Sequence, residues 1–139
     1  MLPYVRPLSL GLALLGLVAC SRIQPITVVH QQVPANAPAV QSAQALQPAL
    51  LRALVRGRWT VEEVQPNQLL ARIDLRGEQS ASITVDYVDG RYDIRYRDSK
   101  ELQYADGSIH KRYNSLVKKL DRLIVQEIRL AQDLSRIPQ

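Results

Sequence analysis

Asp98, Ser99 and His110 are the residues of this sequence that come closest to a hydrolytic set: an acid, a hydroxyl and an imidazole. Nucleophilic catalysis needs the hydroxyl within hydrogen-bond reach of the base and beside an oxyanion site. No nucleophile elbow surrounds Ser99, and its place after an alternating run suits a residue that opens a loop. His110, Tyr113 and Asn114 cluster where a long helix is expected to begin, and a helix N-terminus can hold an anion. The same His110 could instead cap that helix or pack against Tyr104. A small enzyme with a site at Ser99, Tyr104 and His110 is thus one alternative. The structural reading is preferred, and no catalytic residue is assigned.

Two further groups lie on what should be one face of a sheet. Asp86 and Asp93 are expected opposite each other, an unfavourable placement for like charges. A bound cation would relieve it, but Arg91 and Arg95 are a simpler compensation. Arg72, Arg76, Arg91, Arg95 and Arg97 form a strip suited to an anionic surface or polymer; the plainer alternative is a solvated face in which Asp74, Asp86 and Asp93 balance them. No His/Cys cluster has zinc spacing, and there is no Gly-rich phosphate loop or EF-hand pattern. His30 has no ligand-type neighbour in sequence. No metal and no cofactor are expected.

The single cysteine, Cys20, rules out an internal disulfide. It ends a segment with one Arg, Arg6, followed by an uncharged run from Leu8 to Ala19. That run is shorter than the roughly 20 apolar residues a spanning helix needs, and it suits the core of a secretory signal. The sequence Leu17-Val18-Ala19-Cys20 resembles the lipobox of bacterial lipoproteins. The resemblance implies a diacylglycerol on the Cys20 sulfur, cleavage before that residue and acylation of the new amine. Ser21, rather than Asp, implies sorting to the outer membrane, with the body facing the periplasm. The expected organisation is a signal peptide over 1–19, the lipidated cysteine and a flexible tether over 20–41, and an α+β periplasmic domain over 42–139. The tether rests on composition: three Pro in Ser21 to Gln41, with Ala and Gln and no acid or Lys. Within it Ile26 to Val29 is a candidate extra strand.

Helical spacing of Ala43, Leu46, Leu50, Leu51, Leu54 and Val55 marks a first helix, firm from about Pro48 to Arg56, with Gly57 as the left-handed residue that ends it. Four strands follow: Arg58 to Val64, Leu69 to Arg76, Ser80 to Val88 and Arg91 to Asp98. Asp89-Gly90 predicts a two-residue type I′ hairpin, which would set Tyr87 opposite Tyr92, Val85 opposite Ile94 and Ile83 opposite Tyr96. A long helix is expected from Ser108 to about Ser135, with a stripe running from Ile109 to Leu134. The fold class is α+β: a two-layer sandwich of a four-stranded antiparallel meander, with an N-terminal helix and a long C-terminal helix on one face, in the order α-β-β-β-β-α. A helix of that length runs roughly 40 Å against about 25 Å for the strands. Either it bends around the core, or its end overhangs and offers Ile128, Ala131 and Leu134 to a protein partner or a second copy.

The residues Arg56-Gly57-Arg58-Trp59, Val85-Asp86-Tyr87, Tyr92 to Ser99, Leu102-Gln103-Tyr104 and Ile109 to Asn114 resemble a group of small uncharacterised proteobacterial lipoproteins. The chain departs from that pattern by an inserted Arg58 and by Leu116 in place of an aromatic residue. The resemblance supports the lipoprotein reading and the fold and implies no activity. Arg6 accounts for one unit of the formal +5 charge; the remaining +4 is too mild for a nucleic-acid binder. The expected function is a membrane-anchored binding or adaptor module, contacting the bilayer through acylated Cys20. Arg72, Arg95, Arg97, Tyr104, His110, Tyr113 and Asn114 are its candidate ligand or partner surface. A structural lipoprotein assembling through the C-terminal helix is the other alternative.

Overall fold

The computed structural model describes residues 22–139 and Pro3. Cys20 and nearly all of the expected signal segment 1–19 lie outside the described residues.

Helix α1 (Ala43–Arg56) opens at Ser42, whose Oγ accepts the Ala45 N–H at 3.1 Å. It starts five residues before Pro48, earlier than expected. Burial of Leu46, Ala49, Leu50, Ala53 and Leu54 on one face, together with the cap, offsets the cost of an internal proline. The helix does not end on a left-handed glycine. Gly57 has φ −79°, and Arg58 carries the positive φ of 66°. Gly57 answers to crowding instead: a Cβ there would lie 3.1 Å from Trp59 Cδ1 and 3.3 Å from Leu123 Cδ1.

The strands β3 (Thr60–Gln65), β4 (Gln68–Asp74), β5 (Ser80–Val88) and β6 (Arg91–Lys100) pair in sequence order as an antiparallel meander. The β5–β6 register sets Tyr87 opposite Tyr92, Val85 opposite Ile94 and Ile83 opposite Tyr96. The turn is not type I′, since Gly90 alone has positive φ, at 75°. The tip is held from outside: the Asp89 carboxylate accepts the Ala43 N–H at 2.8 Å, and Gly90 N–H donates to Gln41 O at 2.6 Å. The register shifts after Ile83–Tyr96, so that Ser82 faces Asp98 and Arg97 is the extra residue of a bulge. The strand therefore runs on through Ser99, which was expected to begin a loop.

The largest departure is the stretch expected to be a tether. Ile23–Pro25 forms β1, and Val29–Gln32 forms β2. Strand β2 pairs antiparallel with β6 and makes the main sheet five-stranded, in the order β2-β6-β5-β4-β3. Strand β1 pairs with β7 (Ser108–His110) in a second, two-stranded sheet. Beyond β2, a 3-10 turn at Pro38–Val40 leads into α1. Val29, Val33, Ala37 and Val40 are buried in the core. The physical reason is the edge of β6: without β2, its backbone groups beside Tyr92 and Ile94 would have no pairing partner.

Helix α2 (Lys111–Ser135) begins three residues later than expected because Ser108 to His110 pair as β7. Tyr113, Val117, Leu120, Ile124 and Ile128 line its buried face and join Leu69, Ala71, Ile83, Val85 and Ile94 of the sheet in one core. The far end of α2 does not overhang bare. The 3-10 turn covers it, and Ala39 N–H donates to Gln132 Oε1 at 3.0 Å. This corrects the proposed helix interface. Ile128 is only 3% exposed and Ala131 is partly buried within the chain; Leu134 alone of the three is open, at 55%. Among the described residues the architecture is α+β, with two α-helices, a five-stranded antiparallel sheet and a two-stranded one.

Candidate functional site

Four of the five arginines of the expected strip are neutralised one by one, while Arg76, past the end of β4, is exposed and makes no ion pair among the described residues. Arg72 meets Asp74 at 2.9 Å, Arg91 meets Asp93 at 3.8 Å, Arg95 meets Asp86 at 2.5 Å and Arg97 meets Glu62 at 2.6 Å. Asp86 and Asp93 do face each other across the hairpin. Burial pushes the Asp86 carboxyl up, but hydrogen bonds from Arg95 and Gln68 outweigh it and hold the group below the usual carboxylate range. Asp93 takes a 2.7 Å contact from His30 Nδ1 of β2, a partner invisible while residues 20–41 read as a tether. Among the described residues no group of three His, Cys, Asp or Glu is placed to hold a metal ion.

The second set of candidates splits into two. Ser99 Oγ lies 2.9 Å from Tyr96 Oη, and Asp98 accepts the Ser99 backbone N–H at 2.8 Å. The Tyr96 ring stacks on Tyr104, centroids 4.3 Å apart, and meets Tyr113 edge-on at 5.6 Å. These residues edge a shallow depression of about 410 Å³ lined by Tyr96, Asp98, Ser99 and Tyr104. His110 and Asn114 have structural work. His110 Nδ1 accepts the Arg112 N–H at 3.2 Å and caps α2. Asn114 is buried; its Oδ1 accepts the Thr27 N–H and its Nδ2 donates to Pro25 O, each at 2.9 Å. It therefore clamps the segment after β1 onto α2. Ser99 thus has a phenol and its own neighbour's carboxylate for company, and the imidazole serves elsewhere. Tyr113 Oη is the buried polar side-chain atom without a hydrogen-bond partner among the described residues, and burial pushes its ionisation up.

The best-formed cavity among the described residues lies at the helix end that Ile128 marked in the sequence, against a second wall that no sequence signal indicated. It is a cleft of about 420 Å³ between the chain following β2 and the C-terminal half of α2. Pro34, Ala37, Tyr92, Val125 and Ile128 give it apolar walls, and Arg129, Asp133 and Arg136 stand at its charged side. The volume is in the range of small-ligand sites. Two of its lining residues are held by Asp121, which accepts from Tyr92 Oη at 2.7 Å and from Gln31 Nε2 at 3.2 Å. Burial, then the hydrogen bond to Asp121 and the Asp121 charge, push the Tyr92 phenol far above its ordinary value, so it stays a donor. Asp133 leans toward Arg136 at 3.9 Å, while Arg129 makes no ion pair among the described residues. One wall of this cleft is the supposed tether, which is why the spacing of residues could not reveal it.

The two helices are locked beside the cleft by Glu127, 3% exposed, whose carboxylate takes Arg52 Nε at 2.9 Å and Arg56 Nη1 at 2.8 Å. The Arg52 hydrogen bond, opposed by burial and helped by Arg56, holds the Glu127 carboxyl below its ordinary value. Arg52 and Arg56 are one helical turn apart and could have been read as a pair seeking an acid.

Comparison with protein-family models, with curated proteins and with solved structures finds no match for this chain.

Proposed function

We propose that the chain is a bacterial lipoprotein, acylated on Cys20 and held on the periplasmic face of the outer membrane, where its α+β body acts as a binding or adaptor module. The observation that carries this reading is Leu17-Val18-Ala19-Cys20 closing a short uncharged run behind Arg6. It is consistent with this that no helix among the described residues is long and apolar enough to cross a membrane. Acyl chains on one residue would hold the body firmly, since each buried methylene contributes about 0.8 kcal/mol. The binding role rests on the cleft, whose apolar walls and free Arg129 suit a small ligand with an apolar part and a negative charge. The enzymatic alternative is less well supported, because Ser99 is engaged by Tyr96 and the His110 nitrogen by a backbone N–H.

Metabolic labelling with palmitate, comparing the wild-type chain with Cys20→Ala, tests the anchoring. Label in the outer-membrane fraction that disappears in the variant is the expected result. Equal labelling of both chains, or none in either, would overturn it.

A further inference from the structure

We infer that α2 lies along an anionic bilayer surface with its outer face toward the lipid, so that the body rests on the membrane instead of swinging above it. The inference rests on the reading of Cys20 as the lipid-bearing residue. Its first support is the spacing. Arg22 O already accepts the Lys111 N–H at 2.7 Å at the start of α2, and β1 begins at the next residue. Cys20 is two residues before Arg22 in the sequence, so a lipid on it would tether the body close to the start of α2.

The second support is the charge of that helix. Lys111, Lys118, Lys119, Arg122 and Arg129 are all exposed. None of them makes an ion pair among the described residues, in contrast to the paired Arg72, Arg91, Arg95 and Arg97 of the sheet. At about 100° per residue, Lys111, Lys118, Arg122 and Arg129 fall within roughly 40° of one another, along about 27 Å of helix. Asp121 and Glu127 turn inward to Tyr92 and Arg52; of the acids of α2 only Asp133 falls on this side, one turn beyond Arg129, where it meets Arg136 at 3.9 Å. At the far end, Leu130 and Leu134 are about half exposed, but they lie about 100° and 140° around the helix from the basic stripe and are no part of it. Each unpaired cation near an anionic surface adds to the attraction. An anchor near one end and cations along about 27 Å of helix would lay the helix flat.

The test uses the lipidated protein reconstituted in vesicles, either of phosphatidylcholine alone or mixed with phosphatidylglycerol. A nitroxide is placed at Ser115→Cys on the outer face of α2, or at Thr60→Cys on β3. Accessibility to a water-soluble nickel chelate reports the position of each label. In the anionic vesicles the Ser115 site should be at least about threefold less accessible than the Thr60 site. The difference should vanish in phosphatidylcholine, in high salt, and in Lys118→Glu/Arg122→Glu, which should depopulate the docked state by about tenfold or more. Circular dichroism checks that the variant is folded. Equal accessibility of the two sites in anionic vesicles would overturn the inference. So would shielding of Ser115 that depends on protein density and not on lipid charge, which would assign the face to a second copy. Palmitate labelling of the same preparations separates the two readings: label present with Ser115 in water defeats the docking alone, whereas absent label defeats the anchor.

Discussion

Glu127→Gln is the substitution whose consequence the structure specifies most fully. The carboxylate is 3% exposed and accepts Arg52 at 2.9 Å and Arg56 at 2.8 Å, joining α1 to α2. Removing one member of a buried ion pair commonly costs about 3–5 kcal/mol. Here both arginines are 48% exposed, so water recovers part of their charge, and glutamine keeps one acceptor. The expected loss is therefore about 2 kcal/mol, or roughly 8 °C in Tm for a domain of this size. The loss must also depend on pH. The folded-state pKa of Glu127 lies below its ordinary value of 4.5, chiefly through the Arg52 hydrogen bond. Its contribution is then complete above that pH and is lost as pH falls through the lower folded-state value. Urea unfolding at neutral pH and again near pH 3, for both proteins, reads the two free-energy gaps. A neutral-pH gap under about 0.5 kcal/mol, or a gap that does not shrink in acid, would refute the reasoning.

Asn114→Ala should release the segment from Pro25 to Thr27, raising amide exchange at Thr27 well above that of the β5–β6 core, at a cost of about 1–3 kcal/mol. Tyr113→Phe removes a buried hydroxyl with no hydrogen-bond partner among the described residues and should be neutral or stabilising by about 1 kcal/mol in urea titrations. Gly57→Ala should destabilise, because its Cβ would press on Trp59 and Leu123, while Arg58→Gly should gain up to about 1 kcal/mol by relieving φ 66°; thermal melts of the two variants should move in opposite directions.

The hairpin from Ser80 to Lys100 was legible because two independent signals agreed: the alternation of Ile83, Val85 and Tyr87 against Tyr92, Ile94 and Tyr96, and the Asp89-Gly90 turn. The turn type was not, since the tip is held from another part of the chain, Asp89 by Ala43 and Gly90 by Gln41. Residues 22–41 misled because proline, alanine and glutamine read as a spacer, whereas β2 is recruited by the open edge of β6, a partner no local pattern encodes. The cleft was hidden with it, having one wall in that segment. His110 behaved as the cap its position at a helix start allowed. The cationic face was legible in the helical spacing of Lys111, Lys118, Arg122 and Arg129, whereas the pairing of Arg97 was not, because its partner Glu62 lies three strands away in the sheet order.

Lipidation of Cys20 is read most directly by intact-mass analysis of the protein extracted from membranes. The expected mass is that of a chain beginning at Cys20 and heavier than its residues by a diacylglycerol and an amide-linked acyl group. A chain that still carries residues 1–19, or one that begins at Cys20 with a free thiol, would contradict it.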